Sequence, residues 1–150
     1  MSQPLTEKLA EIMKTAMKAK DADTLLFARN LKSAIRNHEI DNQVTIDDQG
    51  VIEIASKQIK QRKESLEAAE TGDREDLAAK ERAEIAFLEQ FLPPALSEAE
   101  IREIVHAAIE ETGATGPKEM GKVMKVVTPK TTGRADGKHV STIVKEMLAS

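Results

Sequence analysis

Apolar residues return at intervals of three and four along nearly the whole chain, the spacing that gathers them on one side of an α-helix. Leu5, Leu9, Ile12, Met13 and Ala16 mark a first helix, closed near residues 20 to 23. Phe27, Leu31, Ala34, Ile35 and His38 mark a second, ending near Asn42. Thr45 and Asp48 are spaced like a capping box and open a long third helix that runs to Thr71, where Gly72 stops it. Its apolar positions are Ile52, Ala55, Ile59, Leu66 and Ala69, with Arg62 interrupting. A fourth helix from about Asp73 carries Leu77, Ile85, Leu88 and Leu92. It has to end before Pro93 and Pro94, because a proline disfavours helical backbone in the residue before it. The short link at Gly72 makes helices three and four an antiparallel hairpin.

The proline pair is the best boundary, dividing the chain into residues 1–92 and 93–150. Beyond it, Ser97 and Glu100 form a capping box for a fifth helix with Ile101, Ile104, Val105, Ala108 and Ile109 on its stripe and Gly113 at its end. Pro117 stands where a first helical residue belongs, and Met120, Val123, Met124 and Val127 line helix six until Pro129 and Gly133 break it. Asp136 caps a seventh helix bearing Val140, Ile143, Val144, Met147 and Leu148. The expected fold is all-α: N-terminal helical hairpins followed by a small three-helix bundle, whose complete apolar stripes let it fold alone.

Composition agrees with helix and removes several chemistries. Phe27, Phe87 and Phe91 are the only aromatics, there is no Trp or Tyr, and the abundant residue types favour helices. The chain has no cysteine, which excludes disulfides, thiolate metal sites and cysteine nucleophiles. No apolar run is long enough to cross a membrane and no signal core opens the sequence, so the expected location is cytoplasmic, with no membrane partner.

No phosphate loop, dinucleotide fingerprint or nucleophile elbow occurs. His38, His106 and His139 are far apart and none has metal-ligand spacing, so neither metal nor cofactor is expected. Glu103, His106 and Glu110 make the best acid–base group, but their spacing is that of an exposed helix face with paired charges. His38 suits a packed or capping role. Lys57, Lys60, Arg62 and Lys63 read as a solvated run with intrahelical pairs to the glutamates that follow, the sharper alternative being a second contact strip. No catalytic residue is assigned, and the chain alone is not expected to catalyse a reaction.

Charge does change the picture. The net charge is −4, yet Gly116 to His139 holds six cations, Lys118, Lys122, Lys125, Lys130, Arg134 and Lys138, against only Glu119 and Asp136. That segment is therefore +4, while the remaining 16 bases and 24 acids give −8. One face of the C-terminal part is built to meet an anion. The turn GRADGKHV adds Gly137 and His139 beside Arg134 and Lys138, where the start of helix seven presents free N–H groups suited to phosphate. The plainer reading is that Asp136 caps, Gly133 turns and the cations stay wet. No aromatic lies beyond Gly116, so folded RNA touched through its backbone fits better than single strands with stacked bases.

ARNLKSAIRNHEI, IKQRKESLEAAE, FLPPALSEAEI and MGKVMKVVTPKTTGRADGKHVSTIVKEML together resemble the YqeY family over essentially the whole chain. From Ser97 onward the sequence is also similar to the tail domain of GatB, the tRNA-recognising subunit of the amidotransferase that acts on misacylated Glu-tRNA or Asp-tRNA. The resemblance implies a non-catalytic module that contacts tRNA or another structured RNA, beside an amidotransferase or other tRNA enzyme. It also implies a family-level link to carbon–nitrogen ligase activity with glutamine as amide donor, although the catalytic machinery has no counterpart here. Lys122, Arg134, Asp136, Gly137 and Lys138 match the family's motifs, and His139 stands where an apolar residue is usual. With the rest of the basic segment, the expected RNA contacts are Lys118, Lys122, Lys125, Lys130, Arg134, Gly137, Lys138 and His139. The alternative is a helical interaction or scaffold protein without an RNA role.

Overall fold

A helix that exposes one side must bury the other, and the chain solves this twice. The structure, a computed structural model, describes residues 3–149. Among them it contains α-helices α1 (Leu5–Ala19), α2 (Ala22–Asn42), α3 (Asp48–Thr71), α4 (Glu75–Glu89), α5 (Glu98–Thr112), α6 (Met120–Thr131) and α7 (Gly137–Ala149), a 3-10 turn at Pro117–Glu119, and no strand. The fold is all-α. The helices form two compact units, Met1–Leu92 and Pro93–Ser150, each with its own core.

In the first unit, α1 stops because Lys20 turns left-handed at φ 57° and donates its N–H to the carbonyls of Ala16 and Met17. Asp21 then caps α2, accepting the Thr24 amide at 3.1 Å and the Thr24 hydroxyl at 2.7 Å. Those bonds hold its carboxyl below the ordinary aspartate range. Leu9, Leu31, Ile35, Val51, Ala55, Ile59, Ile85 and Leu88 fill the core. All three phenylalanines join it as a tilted chain, with Phe27 to Phe87 at 5.9 Å and Phe87 to Phe91 at 5.5 Å between centroids. Lys8 covers the end of that chain, its ammonium 5.5 Å from the Phe91 centroid while it donates to the Gln90 carbonyl at 2.6 Å.

Several local expectations need correction. Asp47, not Thr45, caps α3, because its carboxylate reaches the Gly50 amide at 2.8 Å. On α3 the fully buried position is Val51 rather than its neighbour Ile52, which is only half-buried. On α4 the inward residue is Ala78, and Leu77 is exposed. The fourth helix starts at Glu75 rather than Asp73, since Asp73 adopts φ 54° and belongs to the turn. Arg62 does not interrupt the helix to reach solvent: it meets Glu81 of α4 at 3.4 Å across the hairpin.

In the second unit, the predicted capping box is complete, with Ser97 Oγ accepting from Glu100 N at 3.2 Å and Glu100 Oε1 accepting from Ser97 N at 3.1 Å. Ile101, Val105, Ala108, Val123, Val127, Val140, Ile143, Val144 and Leu148 form its core. Gly113 ends α5 at φ 68°. Pro117 opens the 3-10 turn rather than α6 itself. Pro129 lies inside the last turn of α6, which continues to Thr131. Proline forfeits the bond to the Lys125 carbonyl there; separately, the Thr131 and Thr132 hydroxyls donate to the carbonyls of Val127 at 3.2 Å and Thr128 at 2.7 Å. Arg102 bridges Glu98 at 3.0 Å and Glu146 at 3.1 Å, joining α5 to α7.

Two outcomes are expected from this architecture. Burial raises the Glu84 carboxyl above its ordinary range, with Glu81 adding to the rise and Arg62 opposing it. A folded state that binds this proton more tightly is favoured at low pH, and loses that contribution as pH rises through the raised value. Glu84→Gln should therefore be more stable than the parent at neutral pH and indistinguishable near about pH 3.5, where both side chains are neutral. Urea melts at the two pH values measure this, and equal stabilities at neutral pH would contradict it. The second unit closes its core without the first, so residues 93–150 alone should melt cooperatively by circular dichroism, at the marginal stability expected below about 60 residues. A gradual, sloping melt would show that it needs the rest of the chain.

Candidate nucleic-acid interface

The basic segment is laid out by α6 and the turn into α7. Val123, Val127 and Thr131 fix the buried side of α6. At about 100° per residue, Lys122 and Lys125 then lie roughly 140° and 160° round from Val127, and Lys130 sits nearer the edge of the buried side. All three are exposed, and α6 contains no acidic residue. Lys118 is exposed in the turn before α6, and Lys138 and His139 are exposed in the first turn of α7. Since α6 is about 18 Å long, Lys118 and Lys122 stand at one end and the GRADGK turn begins at the other. The arrangement is an elongated strip, not a pocket. Within it the ion pair among the described residues is Lys122 with Glu119, at a loose 3.9 Å.

The turn differs from what its sequence suggests in two respects. Arg134 is half-buried: its Nε donates to the Pro94 carbonyl at 3.3 Å, and its own carbonyl accepts the Leu96 amide at 2.8 Å. Its charge also helps to hold the Glu100 carboxyl below the ordinary range, behind the larger effect of the hydrogen bonds from Ser97. Arg134 thus clamps the segment before α5, a tertiary role that no local pattern announces. Asp136 caps α7 by accepting the Lys138 amide at 3.0 Å, so one of the donors at the helix start is already satisfied by a carboxylate. The free cations, rather than the helix end, make up the anion-facing surface.

Glycines along the strip carry a further signal. Gly133 needs its left-handed φ of 79°. Gly116, Gly121 and Gly137 do not, and a Cβ added at any of them meets no atom within 4 Å. The fold therefore gives no steric reason for glycine at these three positions, and each leaves backbone open to an approaching ligand. Gly121 was not identifiable as part of this surface from motif spacing alone; counting its angle round α6 places it on the exposed side, near Lys125.

Other candidates resolve plainly. His106 pairs with Glu110 at 3.2 Å on an exposed face of α5. His38 is half-buried near the end of α2, where the Asn42 amide nitrogen donates to its carbonyl at 2.9 Å and lies 3.3 Å from its Nδ1. Lys57, Lys60 and Lys63 are exposed, and the expected intrahelical pairing of that run is replaced at Arg62 by the bond to Glu81. Among the described residues no cluster of His, Asp and Glu could hold a metal ion, and no helix is long and apolar enough to cross a membrane.

The profile of the family described as Yqey-like protein matches residues 6–148. Relatives carry the name Altered inheritance of mitochondria protein 41, mitochondrial. The one from Pyrenophora tritici-repentis is 30% identical over 95% of this chain and 80% of its own length. That from Lachancea thermotolerans is 35% identical over 77% of this chain and 65% of its own length. That from Saccharomyces cerevisiae is 34% identical over 65% of this chain, which spans little more than half of it, 55%. These names correct the expectation of a cytoplasmic location: the relatives are labelled mitochondrial, and the missing signal core and apolar span carried no positive information about place.

Substitutions in the turn should separate folding from surface roles. Asp136→Ala should lose about 1 kcal/mol through the missing cap. Gly137→Ala should match the parent or gain up to about 1 kcal/mol, because the added methyl meets open space in a helical position. Urea melts of the full chain test both, and a Gly137→Ala loss as large as that of Asp136→Ala would make the glycine a folding residue after all.

Proposed function

The chain belongs to the Yqey-like family, and from that premise we propose that its second unit is a non-catalytic module for tRNA or another structured RNA, held through phosphates along α6 and the start of α7. The observation that carries the reading is the state of the cations. Arg62, Arg74, Arg82 and Arg102 are each paired with carboxylates, whereas Lys118, Lys125, Lys130 and Lys138 have no ion pair among the described residues. Unpaired, exposed ammonium groups on and beside an acid-free helix suit a charged backbone read by position rather than by sequence. The similarity of residues 97–150 to the GatB tail domain points the same way, and suggests work beside an amidotransferase or another tRNA enzyme that supplies the catalytic groups. Lys122, Lys125, Lys130 and Lys138 are the principal contacts in this reading, Lys118 and His139 flank them, and Gly121 and Gly137 leave room for the RNA backbone. Arg134 contributes by holding the turn in place.

Filter binding of purified tRNA at several salt concentrations tests the proposal. If four to six phosphates are engaged, the log–log slope should be roughly −3 to −5, at about 0.7 to 0.9 per phosphate. Lys125→Ala and Lys138→Ala should each flatten the slope by about one unit and weaken different RNAs alike. Gly137→Val should weaken binding without loss of stability. Lysine variants that bind with the parent's affinity and slope would remove the RNA role from this surface.

A further inference from the structure

A second group of unpaired cations lies in the first unit, on α2. Arg29, Lys32 and Arg36 recur at spacing three and four, so they share one side of the helix, and all three are exposed. None of them has an ion pair or a side-chain hydrogen bond among the described residues, whereas Arg62, Arg74, Arg82 and Arg102 have carboxylate partners and Arg134 donates to the Pro94 carbonyl. Lys32 and Arg36 also edge a groove of about 280 Å³ between α1 and α2. Its floor is apolar: Leu9, Ala10 and Met13 from α1, and Ile35 from α2. Glu39 is the acid on the rim, and its carboxylate is engaged by the Ile46 amide at 3.0 Å. The groove is below the range of small-molecule pockets and holds one or two large side chains. The same unit carries the large exposed apolar residues Met17, Leu26, Ile40, Val44 and Leu77.

We propose that the α1–α2 groove is the docking site for an acidic amphipathic helix of a partner protein. Two large apolar side chains, one turn apart on the partner, would cover Ala10 and Met13, the latter an adaptable, polarizable floor. Carboxylates on the adjoining side of that helix would meet Lys32 and Arg36, and Arg29 one turn further along. An apolar floor flanked on one side by cations selects both properties in a single ligand. RNA satisfies only the second: its phosphates would leave the floor uncovered, and no aromatic lines the groove to stack a base. This site is independent of the lysine strip in the second unit.

The test uses the full chain and a fluorescein-labelled synthetic helix of about 16 residues, roughly four turns, with two leucines four apart and three glutamates beside them. Fluorescence anisotropy should show saturable binding. A control peptide with the glutamates changed to lysines should bind at least about tenfold more weakly, as should the acidic peptide against Lys32→Glu/Arg36→Glu. Charge reversal on both sides should restore binding. Ala10→Gln, an exposed helical substitution that fills the groove from within, should abolish it while the thermal melt stays that of the parent. Equal binding of the acidic and basic peptides, or binding indifferent to Ala10→Gln, overturns the proposal. So does purified tRNA that displaces the peptide, or that loses affinity for the Lys32→Glu/Arg36→Glu protein, because the strip on α2 would then belong to RNA. Lys125→Ala, which tests the RNA reading, should leave peptide affinity unchanged.

Discussion

Aliphatic side chains packed between helices do nearly all the structural work in this molecule, and the rest follows from that constraint. With three phenylalanines, no larger aromatic and no cysteine, neither unit has a covalent staple. The first concentrates its aromatic area in the Phe27, Phe87 and Phe91 chain, and the second packs valine, isoleucine, leucine and alanine, with Met120, Met124 and Met147 at its edge. Burial of this kind is non-directional and roughly proportional to area, so it fixes which side of a helix faces in but leaves the outer residues almost free. Charges on the outer faces can therefore be used for other ends. Some of them stitch helices together, as Arg62 does with Glu81 and Arg102 with Glu146; others have no internal use.

The division between used and unused cations follows the chemistry of the two side chains. Arginines take the bridging positions, where a planar fork can serve two carboxylates at once, as Arg82 does for Glu70 and Glu75. Lysines along α6 have no carboxylate on their own helix to pair with; Lys122 and Lys125, three apart, share its outer face, and Lys130 lies further round. Exposed ion pairs contribute little to stability in any case, so leaving Lys125 and Lys130 unpaired, and Lys122 with only a loose contact to Glu119, costs the fold almost nothing. The exposed arginines Arg29 and Arg36 depart from this pattern, which is why they single out the α2 face.

Helical periodicity made the architecture legible, because a stripe at spacing three and four needs only local information. Its resolution is limited where two apolar residues adjoin. Val51 and Ile52, or Leu77 and Ala78, differ by one step of about 100°, and the packing partner decides which turns inward. In the second pair the larger side chain is the natural expectation, yet Ala78 is the one buried and Leu77 stays exposed. Cap positions failed for a similar reason: Thr45, Asp47 and Asp48 all bear cap-capable oxygens within four residues, and only backbone geometry selects Asp47. Asp136 was readable because Gly137 and the apolar stripe beginning at Val140 leave one competent residue. The bond of Arg134 to the Pro94 carbonyl was not legible, since its partner lies 40 residues earlier and no spacing rule connects them.

The acidic remainder of the chain gives the basic strip its meaning. The segment 116–139 carries +4 and the rest of the chain −8, so long-range attraction for an anion is concentrated on that segment and, in the first unit, on the Arg29, Lys32 and Arg36 side of α2. Lysines interspersed with acids would largely cancel one another's field, whereas segregated charge keeps its attraction confined to particular faces. The same contrast explains why Arg134 is worth holding rigidly. Its bonds to the Pro94 carbonyl and, through its own carbonyl, to the Leu96 amide fix the turn that carries Lys138 against the start of α5. The distance between the two ends of the strip is set by the length of α6, about 18 Å, and by this clamp at the far end.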